Sequence, residues 1–228
     1  MAFHSTEIQA PTGPEQITGL VLAGGLGQRM GQEKGLVHLR GQALAWLALQ
    51  RLRPQVSRLA LNANRQLAQY QALGVPVWSD APTDEPQGPL AGMLCGLRQC
   101  QTDWLLTVPC DVPNFPYDLA DRLVQALGTP PRPLATVRAF TPDEGSAGPS
   151  SALSHPSKGR PGPWRQPVFC LLHRSLEDDL AQWLEEGGRK VGAWLSRHTP
   201  AEAVFDRPQD LPSDFANVNT PEELARLS

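Results

Sequence analysis

No stretch of this 228-residue chain reaches the ~18 uninterrupted apolar residues of a membrane-spanning helix. Residues 1–16 combine neither a cationic start nor an apolar run, so they read as a flexible N-terminal extension and not as a signal peptide. Cysteine is scarce: Cys95, Cys100, Cys110 and Cys170 contain no CxxC pair, and the five histidines are scattered. That spacing argues against a zinc site or a disulfide framework, and for reduced thiols in a cytoplasmic setting. An excess of charge of one sign is also missing. Twenty Lys and Arg against 23 Asp and Glu leave a net charge of −3, hence no general basic field for non-specific nucleic-acid binding. An anionic substrate must instead be drawn in by local cations in a cleft. Neither a Ser-His-Asp nor a Cys-His arrangement suggests a protein nucleophile, and no internal repeat is visible. What the chain does have is 40% apolar residues, enough to bury a substantial core in one large domain or two small ones.

It also has glycine where glycine does chemical work. In residues 21–39, VLAGGLGQRMGQEKGLVHL, an apolar strand runs into a loop carrying Gly24, Gly25 and Gly27, then Arg29 and Lys34. Small residues let backbone N–H groups approach phosphate oxygens, and two cations offset charge that grows during phosphoryl chemistry. A Walker loop requires Gly-Lys-Ser/Thr, whereas Lys34 lies between Glu33 and Gly35. The dinucleotide fingerprint counted from Gly25 and Gly27 requires a third glycine where Met30 stands. Neither loop type fits, and what remains is a glycine loop with its arginine and lysine five residues apart. It reads as a polyphosphate cradle or, more plainly, as an ordinary strand-to-helix turn. Its glycines would present N–H groups to the phosphates while Leu22 and Ala23 line the nucleotide. Arg29 can fork two oxygens, and Lys34 supplies a compact charge.

Short apolar runs alternate with helical patterns. Ile17–Leu22, Arg58–Leu61, Val75–Trp78, Trp104–Val108, Leu134–Val137, Pro167–Leu172 and Ala201–Phe205 read as strands. Helices are expected around Leu44–Leu52, Gln66–Leu73, Leu90–Gln99, Tyr117–Leu127, Leu176–Leu184 and Arg189–His198, with a last one capped by Thr220, Pro221 and Glu223. The alternation predicts an α/β fold: a Rossmann-like three-layer α/β/α sandwich with a mostly parallel, mixed sheet. Ligands in such folds sit beyond the carboxyl ends of the strands. The loop 24–34, Asn62 and Asn64, Asp80, and Asp111 all follow such ends. Asp111 suits Mg²⁺, which accepts one carboxylate with phosphate oxygens and waters, though an aspartate there also suits a turn or a helix cap. Asp80 can accept from a guanine edge or from ribose hydroxyls. Residues 141–163, rich in Pro, Gly and Ser, read as a surface insertion.

The strings LAGGLGQRMGQEK at 22–34, NANR at 62–65, SD at 79–80, GPLAGM at 88–93, PCDVP at 109–113 and NVNTPEEL at 217–224 fall in a specific order. In that order and spacing they resemble the GT-A-like nucleotidyltransferases, and within them the molybdenum cofactor guanylyltransferase (MobA) family, from Ile17 onward. The resemblance implies a single nucleotidyltransferase domain over 17–228, with 17–128 binding the NTP and 167–228 the acceptor. It implies transfer of GMP from GTP to molybdenum-molybdopterin, with a guanine dinucleotide cofactor and pyrophosphate as products and Mg²⁺ as the required ion. Lys34 would then contact the triphosphate, Arg29 steady the leaving pyrophosphate and Asp111 hold the metal. Asn62 and Asp80 would contact the nucleotide, and Asn217 and Asn219 the pterin. Partners implied are GTP, the molybdopterin acceptor and, transiently, proteins that make or receive the cofactor, with no nucleic acid and no membrane. Trp164, Arg165 and Gln166 fall near the acceptor side but follow an insertion that the family pattern lacks, and are not counted as site residues. Two readings stay open beside this one: a related cytidylyltransferase or sugar-phosphate enzyme, and a non-catalytic GTP-binding module that delivers cofactor.

Overall fold

The computed structural model describes residues 8–24, 33–82, 88–140 and 163–218. The expected helix beyond Thr220 and nearly all of the 141–163 insertion lie outside them. At the centre runs β1 (Ile17–Leu22), an apolar strand buried along its whole length. It pairs in parallel with β4 (Arg58–Asn62) on one side and β6 (Trp104–Pro109) on the other. A strand buried on both faces is what a continuous apolar run without alternation encodes. Parallel β5 (Val77–Trp78) lies beyond β4. On the other flank β8 (Trp164–His173) runs antiparallel to both β6 and β7 (Leu134–Ala139), and β9 (Ala201–Phe205) closes the edge parallel to β7. Among the described residues the seven-stranded order is β5-β4-β1-β6-β8-β7-β9, mixed through β8, as the sequence predicts.

Helices cover both faces. Leu49 and Leu52 of α1 (Leu44–Leu52) and Leu119 and Leu123 of α4 (Leu119–Ala126) share one core with Val21, Leu61 and Leu106. Residues of α3 (Pro89–Gln99), α5 (Glu177–Glu185) and α6 (Val191–Arg197) share the opposite core with Leu20, Leu22 and Leu105. Adjacent residues of one strand thus feed opposite cores, the period-2 signature of a sheet between two helical layers. Helix α3 sits unusually close to the sheet. A Cβ on Gly92 would come within 2.5 Å of Asn62 Oδ1, and one on Gly96 within 2.6 Å of Leu20. A short helix, α2 (Leu67–Gln71), packs near β5. No helix among the described residues is long and apolar enough to cross a membrane.

A hairpin before α1 and the start of β8 depart furthest from the sequence expectation. A small antiparallel hairpin, β2 (His38–Leu39) and β3 (Gln42–Ala43), turns on Arg40 and Gly41 at φ 52° and 77°. Two-residue strands are too short to show a period, so their pattern was invisible. Strand β8 starts three residues earlier than the expected Pro167. Proline cannot donate to a ladder and reads as a boundary, but here the register shifts between Thr136 and Val137, and the irregularity accommodates it. The Thr107 hydroxyl donates to Val168 O (2.8 Å) and the Thr136 hydroxyl to Phe169 O (3.2 Å), taking up carbonyls that the ladder leaves.

Candidate active site

Because β1, β4, β5, β6, β7 and β9 all point the same way, their carboxyl ends share one edge with the amino end of antiparallel β8. A cavity of about 870 Å³ opens along that edge. Its walls include Leu22, Ala23 and Gly24 after β1, Asn62 at the end of β4, Asp111 after β6, and Asn217 near the C-terminus. Sequence positions as far apart as 22 and 217 therefore meet in one trough.

At its middle, Lys34 Nζ lies 2.5 Å from Asp111 Oδ2, and each side chain is about one-fifth exposed (21% and 19%). Local structure holds both. The Cys110 N–H donates to Leu22 O (3.1 Å), extending the β1–β6 ladder so that Asp111 projects just past the sheet. Its own carbonyl accepts from Val218 N (2.8 Å), and Val218 is anchored among Val37, Leu39 and Leu44 of the hairpin region. This clasp seats Asn217 beside Asp111. Lys34 begins a single 3-10 turn whose Gly35 rests on the buried Tyr70, where a Cβ would meet the phenol oxygen at 2.7 Å. Burial above all drives that phenol far above its ordinary range, with the Glu33 charge adding to it, so it stays neutral. Burial likewise drives the Cys110 thiol far up, with the Asp111 charge adding to it, and this removes Cys110 as a nucleophile or thiolate ligand.

Toward β5 the cavity meets a polar lattice. Asn62, buried, donates from Nδ2 to Trp78 O (3.1 Å) and Asp80 Oδ1 (2.8 Å). Asn64 donates to Asp80 Oδ2 (2.7 Å) and accepts from the Asp80 N–H (2.8 Å). Asp80 is therefore the carboxylate that orients both asparagines, and Asn62 is the member that reaches the cavity wall. Gly88, at φ 65° and ψ −158°, holds a conformation open essentially to glycine alone and starts α3 with Pro89 at its first turn. The amino end of α3 thereby borders the trough.

Gly25, Gly27, Arg29 and Asn219 lie outside the described residues. Of the other expected site residues, Leu22, Ala23, Gly24, Lys34, Asn62, Asp111 and Asn217 line the one cavity, and Asp80 stands just behind Asn62. The structure adds Arg138, Trp164, Arg165, Gln166, Gly192 and Glu202 to the wall. Arg138 stands near the carboxyl end of a parallel strand, and the strand-end rule that singled out Asp111 would have flagged it. Among the described residues no three His, Cys, Asp or Glu side chains gather into a metal cage. The donor set still fits a magnesium ion. Mg²⁺ binds through one or two carboxylates plus substrate phosphates and water, and lysine takes one of the roughly four lone-pair sites of Asp111.

A glycine-punctuated strand edge carrying a lysine, a carboxylate and a nucleoside-sized trough defines an α/β phosphate-transfer protein. More narrowly, the chain belongs to the MobA-like NTP transferase family, whose model matches residues 19–201. It is 48% identical over 213 residues to a molybdenum cofactor guanylyltransferase of Ralstonia nicotianae, covering 93% of this chain and 96% of that one. Among solved structures, it is similar to the molybdopterin-guanine dinucleotide biosynthesis protein A of Archaeoglobus fulgidus. The TM-score is 0.64 at 20% identity, covering 92% of this chain and 96% of that one. The 4-diphosphocytidyl-2C-methyl-D-erythritol synthase of Anaerococcus prevotii shares the fold at TM-score 0.65 and 12% identity, covering 94% and 95%.

Proposed function

We propose that this chain transfers GMP from GTP to molybdopterin bearing molybdenum, releasing pyrophosphate and forming the guanine dinucleotide form of the cofactor. The observation that carries the reading is the Lys34–Asp111 pair in the middle of the strand-end trough, in a chain closely similar along nearly its whole length to a guanylyltransferase. An oxygen of the acceptor phosphate attacks the α-phosphorus of GTP, the new P–O bond forms, and the bond to the β-phosphate bridge breaks. The acceptor oxygen is already ionised near neutral pH, so positioning and charge stabilisation dominate and no protein base is needed. Gly24, with Gly25 and Gly27, presents backbone N–H groups to the phosphates. Lys34 neutralises the triphosphate, and Arg29 steadies the departing pyrophosphate. Asp111 would hold Mg²⁺, whose contribution is to offset charge on the phosphate oxygens. Asn62, oriented by Asp80, contacts the nucleoside, and Asn217 with Asn219 the pterin. On this reading residues 17–128 serve the nucleotide and 167–228 the acceptor, in a cytoplasmic protein that meets cofactor-making and cofactor-receiving proteins only transiently.

Purified chain supplied with Mg²⁺ and molybdopterin should turn over GTP at least tenfold faster than CTP. A preference for CTP would overturn the guanylyl assignment while leaving a nucleotidyltransferase.

A further inference from the structure

At the far end of the trough from Asn62, three charged side chains lie on one face of the sheet. Arg138 of β7 is in register with Arg165 of β8, and Glu202 of β9 is in register with Thr136, two residues along β7 on the same face. Glu202 holds both guanidinium groups. Its Oε1 accepts from Arg165 Nε (3.1 Å) and Nη2 (2.5 Å), and its Oε2 accepts from Arg138 Nη1 (3.2 Å). Arg138 also donates twice to Pro163 O (3.2 and 3.1 Å), and Arg165 Nη1 donates to the Ser196 hydroxyl (3.4 Å). A guanidinium carries five N–H groups, and these bonds use three on each arginine, which leaves two apiece. The trio has a net charge of +1 and is partly exposed on the wall of the cavity.

Position decides what this charge serves. Asp111 follows β6, two strands from β4 and two from β7. Four inter-strand steps of ~4.8 Å put the Asn62 and Arg138 ends of the trough about 19 Å apart, with the Lys34–Asp111 pair between them. A nucleoside seated at Asn62 with its phosphates at Lys34 leaves the β7–β8 end to the other substrate. We infer that Arg138 and Arg165, splayed and held by Glu202, form an anion clamp for the phosphorylated acceptor, fixing it for attack on the α-phosphorus. This deepens the proposed function and rests on it. Arg138 and Arg165 touch substrate in this assignment, and Glu202 is a positioning residue. A planar fork matches phosphate oxygens better than an ammonium does, so lysine is a poor replacement at either arginine.

The test is steady-state guanylyl transfer by the full chain with Mg²⁺, GTP and molybdopterin, comparing wild type with R138Q, R165Q, R165K and E202Q. The clamp predicts that the KM for molybdopterin rises at least tenfold in R138Q and R165Q and at least threefold in R165K, with the KM for GTP within twofold of wild type. E202Q should raise the acceptor KM less than either arginine loss. Calorimetric titration with GTP confirms folding of each variant independently of the acceptor. Transfer by wild type with an unchanged acceptor KM in both arginine variants overturns the clamp alone. An equal rise in the KM for GTP also overturns it, by giving the arginines to the nucleotide. Absence of guanylyl transfer in wild type rejects the functional reading and the clamp with it.

Discussion

Lys34 and Asp111 sit 77 positions apart in the chain and touch because Asp111 lies just past the end of β6, beside which the 3-10 turn that opens with Lys34 is packed. The two opposite charges of this pair offset each other, and on the proposed mechanism a triphosphate would draw the ammonium toward its own oxygens. Lys34→Ala should therefore lower GTP turnover well over tenfold, the equivalent of losing a charged phosphate contact of ~2 kcal/mol or more. A change below threefold in kcat/KM for GTP would remove Lys34 from the mechanism. At this scale much of the site was legible from residue type and position alone. Gly24, Lys34, Asn62 and Asp111 each follow a strand, and the structure brings them to one cavity. Arg138 follows the expected strand Leu134–Val137 and so met the strand-end rule, but Glu202 was not legible, because a lone glutamate in a strand carries no spacing signal. Their partnership depends on register across three strands, which only the folded sheet sets.

At the scale of elements, the approach of α3 to the sheet is controlled by glycine. The structure shows that Gly92 admits Asn62 and Leu22, where a methyl group would collide at 2.5 and 2.8 Å. Gly92→Ala should destabilise the chain by about 1–3 kcal/mol, as overpacking does, and weaken GTP binding through displaced Asn62. Urea unfolding and GTP titration check the two effects, and an unperturbed GTP affinity would detach Asn62 from nucleotide binding. On the opposite face α4 is tied to the segment after β9. Arg122 donates to both oxygens of Asp210 (2.7 and 3.0 Å) and to Val204 O, and lies 3.6 Å above the Phe205 ring. Burial alone would raise the Asp210 carboxyl, but Arg122, with the Arg207 amide, outweighs it and holds the group below the usual range. Its stabilising effect is therefore complete above the ordinary carboxyl value of ~3.9 and is lost as pH falls through the depressed folded value. Asp210→Asn should cost about 3 kcal/mol at neutral pH by leaving the buried Arg122 with only the exposed Asp118 carboxylate, 3.8 Å away, and the gap to wild type should begin to close below about pH 4. A gap that stays constant across that range would mean that the pair's charge is irrelevant to stability. Strand and helix types came through well from period and punctuation. The register shift opposite Pro167 and the two-residue hairpin did not, because the first depends on tertiary pairing and the second is shorter than any period.

For the whole molecule, the mostly parallel sheet is a device for bringing distant segments to one rim. Nothing in local propensity says that Asn217 belongs beside Asp111. That placement comes from Val218, which pairs with the Asp111 carbonyl and is packed against the hairpin. By strand order the trough runs from the Asn62 end at β4, past the Lys34–Asp111 pair after β6, to a basic end at β7, β8 and β9. On the proposed reading, two substrates laid along such an edge would meet at its middle. The most direct measurement is mass-spectrometric identification of what the purified chain makes from GTP, Mg²⁺ and molybdopterin, run beside Asp111→Ala. The account predicts the guanine dinucleotide of molybdopterin with stoichiometric pyrophosphate from the native chain, and neither product from the folded variant. GDP and free phosphate in place of a dinucleotide, or undiminished dinucleotide from Asp111→Ala, would contradict it.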